Sequence, residues 1–113
     1  MVEKDPLSLV LITAPDQEVA RELARELVAK KIAACVNILP GVLSIYFWEQ
    51  ALQEDQEVLL LVKTRQGLLE EELIPLIHEL HPYDLPEIIS LPIGGGSSSY
   101  LKWIREETSE GHP

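Results

Sequence analysis

The chain has 113 residues, 46% of them apolar, with 9 Lys and Arg against 19 Asp and Glu and a formal net charge of −10. That size predicts one domain spanning residues 1–113, and the apolar share predicts a packed core rather than a disordered chain. The acidity excludes the clustered Lys and Arg that nucleic-acid phosphates or an anionic membrane surface require.

No apolar run approaches the roughly 18 residues of a membrane span. The start, MVEKDP, in which Glu3 and Asp5 outnumber Lys4, lacks the basic start of a signal peptide. Cys35 is the single cysteine and has no partner for an internal disulfide. These features predict a cytoplasmic protein.

Residues 7–13 (LSLVLIT) are short, apolar and rich in β-formers, and predict a strand. Pro15 breaks the run, and Asp16 is a helix N-cap candidate. From there to residue 31 the period is helical, with Val19, Leu23 and Leu27 on one face. Residues 33–39 predict a second strand, stopped by Pro40-Gly41 and resumed over residues 42–48 (VLSIYFW). Polar residues 49–56 then turn the chain. They hold no Asn-Gly or Gly-X pair, so the turn is expected to be irregular.

Residues 58–64 (VLLLVKT) predict the third strand. A second helix follows Gly67, with Leu69, Leu73, Leu76, Ile77 and Leu80 on one face. Pro75 lies inside that pattern and predicts a kink or a later start. Pro82 ends the helix. Residues 87–93 predict a fourth strand, and residues 94–99 (GGGSSS) a flexible loop. Residues 100–108 predict a short last helix with Leu101, Trp103 and Ile104 as its apolar set. Residues 109–113 are expected to be a loose tail.

The order β-α-β-β-α-β is that of an α+β, ferredoxin-like fold with a four-stranded antiparallel sheet and a short C-terminal helix. Right-handed crossovers put both main helices on one sheet face. The other face should then be polar, yet residues 9–12 and 58–62 are apolar on both faces. A second observation concerns length. A strand over residues 55–65 runs about 36 Å, against a radius of gyration of about 13 Å for a chain this size. A hairpin of that length overhangs its own domain. Both observations predict a symmetric oligomer in which sheets pack on sheets.

Several segments, in order, carry a resemblance. They are VLITAPD (residues 10–16), AACVNILPG (33–41), SIYFWE (44–49), LVKT (61–64), HPYDLPEI (81–88) and YLKW (100–103). Over about residues 8–107 the chain resembles the CutA family of divalent-cation tolerance proteins. The resemblance implies a ferredoxin-like homotrimer with sheets inside and helices outside. It implies a role in tolerance to divalent metals including copper, with no enzyme activity established and no organic cofactor. The chain departs from the family pattern in two places. Gln50 stands where a glycine usually follows Trp-Glu at the hairpin tip, which predicts another kind of turn. In some relatives copper is assigned to a cysteine and two adjacent histidines; the matching positions here are Ile12, Leu80 and His81, and only His81 keeps its ligand.

Candidate metal ligands are therefore His81, Asp84 and Cys35. His81 and Asp84, three apart in a proline-framed loop, either share a cation or cap the helix end and a turn. Cys35 is either a buried small apolar residue or a metal-reactive thiol. Glu57 and Lys63 lie on one face of the third strand. With Trp48, Tyr83 and Glu87 they either line an inter-subunit cleft or form an ordinary interface ion pair. The competing readings are a metal-binding trimer and a trimeric signalling module that takes a small ligand in such clefts.

Overall fold

The computed structural model describes residues 5–109. The start of the chain, most of the expected tail and His112 lie outside that range.

Strand β1 spans Leu7–Ala14, helix α1 Gln17–Ala29, strand β2 Cys35–Trp48 and strand β3 Ala51–Arg65. Helix α2 spans Ile74–Leu80, strand β4 Ile88–Pro92 and helix α3 Ser98–Glu107. The sheet order is β2-β3-β1-β4, and every neighbouring pair is antiparallel. This is the ferredoxin-like arrangement.

Asp16 caps α1, its carboxylate accepting from the Val19 N–H at 2.9 Å. Ala20, Leu23 and Leu27 face the sheet and are fully buried. They meet Val10, Ile12, Leu60 and Val62, alternate residues on one face of β1 and β3. Leu69, Leu73 and Ile77 complete this core from the second helical segment.

Pro75 shapes that second segment. It has no N–H to offer the carbonyl four residues back. A 3₁₀ turn (Gln66–Leu68) and a π-helical turn (Leu69–Leu73) precede it, the Ile74 N–H reaching the Leu69 carbonyl. Helix α2 starts only at Ile74, with Pro75 in its first turn. The later start is thus the outcome.

The hairpin corrects two expectations. Pro40-Gly41 does not end a strand: β2 runs on through a bulge between Leu39 and Val42. Gly41 takes φ +83° there, a conformation open to glycine. Nor do residues 49–56 form an irregular loop. Only Glu49 and Gln50 turn, with φ of +51° and +67°. Two successive positive-φ residues are what a two-residue type I′ turn requires. The pairs Trp48↔Ala51 and Phe47↔Leu52 close directly behind it. Cross-strand pairing holds the tip even without the favoured glycine. Polar residues 53–56 therefore belong to β3, in an arm that projects into solvent.

The arm accounts for the molecule's shape: its extents are 48 × 28 × 23 Å and its Cα radius of gyration is 14.9 Å. Helices α1 and α2 cover one sheet face. The opposite face carries Leu9, Leu11, Leu59 and Leu61, with Leu39, Ile89 and Leu91 about half exposed. Helix α3 packs on the Leu7 end of that face through Ile104 and Leu101, and no described element of the chain covers the rest.

Arg65, at the end of β3, gathers the ends of the fold. It pairs with the Asp5 carboxylate and donates through Nε to the Thr108 carbonyl at 3.1 Å. Asp5 also accepts from the Gly67 N–H at 2.7 Å, where any side chain would strike it.

Candidate functional site

The type I′ tip sets the register of the arm: Ser44 pairs with Asp55 and Val42 with Glu57. Side chains alternate along a strand, so Ser44, Tyr46 and Trp48 share a face with Asp55 and Glu57. This is the sheet face away from α1 and α2. Glu57 lies just past Leu59, which pairs with Thr13. The proline-framed loop after α2 faces this stretch of the arm. It presents Tyr83, Asp84 and Leu85, and Glu87 follows at the entry to β4. Together these residues line a cavity of about 560 Å³.

Two phenols organise the walls. Tyr83 Oη donates to Glu57 Oε2 at 2.9 Å. Tyr46 Oη donates to Asp55 Oδ2. Burial, then the bond to Glu57, pushes the Tyr83 pKa well above the usual phenol value. Tyr46 is raised too, by its bond to Asp55 first and burial second. Each phenol therefore stays a donor. Glu57 is only 8% exposed and forms no salt bridge among the described residues.

Asp55, Glu57, Asp84 and Glu87 line the cavity, and no Lys, Arg or His does. That balance rejects phosphates and other anions and favours cations. The carboxylates do not converge on one point. Among the described residues no group of three or more His, Cys, Asp or Glu side chains is placed to hold a metal ion.

Of the residues singled out in the sequence, Trp48, Glu57, Tyr83, Glu87 and Asp84 come together here. Lys63 does not. Its Nζ lies 4.0 Å from Cys35 Sγ, farther along the same face. Cys35 is half-buried, and the Tyr100 pKa rises through burial and then through that thiol. His81 is 7% exposed and committed elsewhere. Its Nδ1 accepts from the Tyr83 N–H at 3.1 Å, and its Nε2 donates to the Thr13 carbonyl at 2.7 Å. The ring leans on Tyr83, centroids 4.7 Å apart. It thus positions the loop, while Asp84 is exposed on the cavity side.

Tyr46 and Asp55 escaped the sequence reading. The signal was there: once the turn is two residues long, alternation puts both on the face of Glu57.

The fold and the cavity define a ferredoxin-like α+β protein with an acidic cavity beside its projecting arm. Residues 8–107 match the family model for the CutA1 divalent ion tolerance protein, and the chain belongs to that family. It is 52% identical over 100 residues to the divalent-cation tolerance protein CutA of Thermus thermophilus, covering 88% of this chain and 96% of the relative. It is 48% identical over 103 residues to the chloroplastic protein CutA of Arabidopsis thaliana. That alignment covers 91% of this chain but only 56% of the longer plant protein. The crystal structure of CutA1 from Oryza sativa superposes with a TM-score of 0.89 at 44% identity, covering 94% of this chain and 96% of that one. No helix among the described residues is long and apolar enough to cross a membrane.

Proposed function

We propose that the chain is a non-enzymatic homotrimer that binds or responds to divalent metal ions such as copper. The observation that carries the metal reading is the cavity with four carboxylates and no basic residue. The charge of −10 per chain adds a long-range term, about −30 for three copies, screened over roughly 8 Å in physiological salt. Binding is then loose and largely electrostatic, with copper strongest by the Irving–Williams order. Asp84 is the favoured ligand, because it is exposed on the cavity. His81 spends both ring nitrogens within the chain, and the Lys63 ammonium beside Cys35 repels a cation there.

The trimer reading rests on the uncovered apolar sheet face. An exposed apolar patch of this kind marks an interface, and the arm is long enough to lie along a neighbour. The cavity adjoins that face, since Glu57 is the next residue to Leu59 on the same face of β3. This supports a second reading, in which the inter-subunit cleft also takes a small ligand. We place the protein in the cytoplasm on the strength of its lone reduced thiol.

Calorimetric titration with copper, zinc and nickel tests the metal reading. Copper should bind most tightly and Asp84→Asn should weaken it, while 0.5 M salt, with a Debye length of only about 4 Å, weakens every ion. A tight stoichiometric copper site indifferent to salt and to Asp84→Asn would overturn it.

A further inference from the structure

We propose that the cavity between the arm and the loop after α2 binds an aliphatic polyamine, a flexible chain bearing two or more ammonium groups. The inference rests on the reading in which the cleft takes a small ligand, and it names the class of that ligand.

The sign of the walls comes first. Four carboxylates face the cavity without a single basic side chain, so the ligand is a cation. The spacing of the carboxylates comes second. They stand on two walls, Asp55 and Glu57 on β3 and Asp84 and Glu87 on the opposing loop and strand entry. No three of them meet at one point. A compact ion such as Mg²⁺ is held tightly only by convergent oxygens, which is why metal binding here stays loose and electrostatic. Ammonium groups separated by methylenes need no such convergence. Asp55 and Glu57 sit two residues apart on one strand face, about 7 Å along the strand, which a short methylene spacer bridges.

The remaining lining fits the spacer. Tyr46, Trp48 and Tyr83 offer ring faces, and Ile45 and Leu85 offer aliphatic surface. Aromatic faces attract ammonium groups and accept the methylenes between them. The two phenols also fix the acceptors in advance. Each occupies one oxygen of its carboxylate, Asp55 Oδ2 or Glu57 Oε2, and leaves the other for a ligand. Rigid acceptors of this kind lower the ordering cost of binding. Finally, Glu57 is nine-tenths buried yet has no cationic partner within the described residues. Asp5, less buried, has Arg65. An ammonium group of the ligand supplies for Glu57 what Arg65 supplies for Asp5.

The test is calorimetric titration of the full chain with spermidine at physiological ionic strength, followed in parallel by tryptophan fluorescence. Saturable binding is expected, with ATP failing to bind or compete. Glu57→Gln and Asp84→Asn should each weaken spermidine by about tenfold or more, as loss of one partner of a desolvated charge pair does. Asp84 is exposed, so its variant keeps the test valid should Glu57→Gln fold poorly. Glu71→Gln removes the same charge from an exposed position outside the cavity and should leave the affinity unchanged. Equal weakening by Glu71→Gln, or none by Glu57→Gln and Asp84→Asn, would reduce the effect to bulk polyanion attraction and overturn the site. No spermidine binding by a protein that is still trimeric and still takes up copper overturns the ligand class alone. Spermidine binding by a protein found to be monomeric, with the same variant pattern, sustains the cavity and removes the cleft.

Discussion

The Tyr83 phenol donates to the Glu57 carboxylate across 2.9 Å, fastening the loop after α2 to the projecting arm. Tyr83→Phe keeps the ring and removes this bond. Glu57 then loses its donor in a buried position, a change worth about 1–3 kcal/mol. Urea denaturation should show a lower midpoint with an unchanged slope. An unaltered midpoint would mean the phenol adds nothing to the fold.

The phenols also set an alkaline limit. Tyr46, Tyr83 and Tyr100 are the chain's three tyrosines, and all three are raised above the usual value of 10.0. Above pH 10 the unfolded chain therefore holds fewer protons than the folded one. The stability they contribute is complete below pH 10 and is lost as pH rises through the folded values. Ultraviolet titration of phenolate should show no native tyrosine ionising at the ordinary pH, and thermal midpoints should fall steadily beyond it. A native tyrosine titrating with an ordinary pKa would contradict the assignment.

Gln50 sits at φ +67° in the hairpin tip. A left-handed residue with a side chain costs about 1–2 kcal/mol. Gln50→Gly should therefore stabilise the hairpin by about 1 kcal/mol, less the extra freedom glycine gives the unfolded chain. Thermal unfolding of the two proteins side by side checks this. A destabilised variant would show that the Gln50 side chain makes a compensating contact.

His81 separates a structural role from a metal-binding one. His81→Ala strands the Thr13 carbonyl and the Tyr83 N–H and leaves a cavity, costing about 2–4 kcal/mol. Copper affinity of the folded variant should stay within about twofold of the parent, a difference of roughly 0.4 kcal/mol. A sharp loss of copper with stability intact would reverse the two roles.

The core was legible because its period is strong. Leu23 and Leu27 on α1, and Val10, Ile12, Leu60 and Val62 on the sheet, follow directly from spacings of 3.6 and 2. The uncovered face was legible in the same way, because Leu9, Leu11, Leu59 and Leu61 are apolar where one-sided burial needs polar residues. The turn was not. Glu49-Gln50 carries no glycine, and local chemistry pointed to a longer loop. Pairing of residues 42–48 with residues 51–57 overrode it, and cross-strand pairing is a tertiary fact. The cavity inherited that error. Without the register, Tyr46 and Asp55 could not be set beside Glu57, and Lys63 could not be separated from it. His81 shows the opposite case: the residue type suggests a ligand, and only its two hydrogen bonds reveal a spacer holding Thr13 and Tyr83 in place.

The account turns on three copies meeting through the sheet face that carries Leu59, Leu61, Ile89 and Leu91. Light scattering coupled to size exclusion at micromolar concentration measures this directly. The expected mass is about 38 kDa, three times the 12.7 kDa of one chain. Leu61→Asp, which puts an unpaired charge on that face at a cost of several kcal/mol, should abolish the assembly. A mass near 12.7 kDa for the parent, or a Leu61→Asp protein that remains trimeric, would contradict the account.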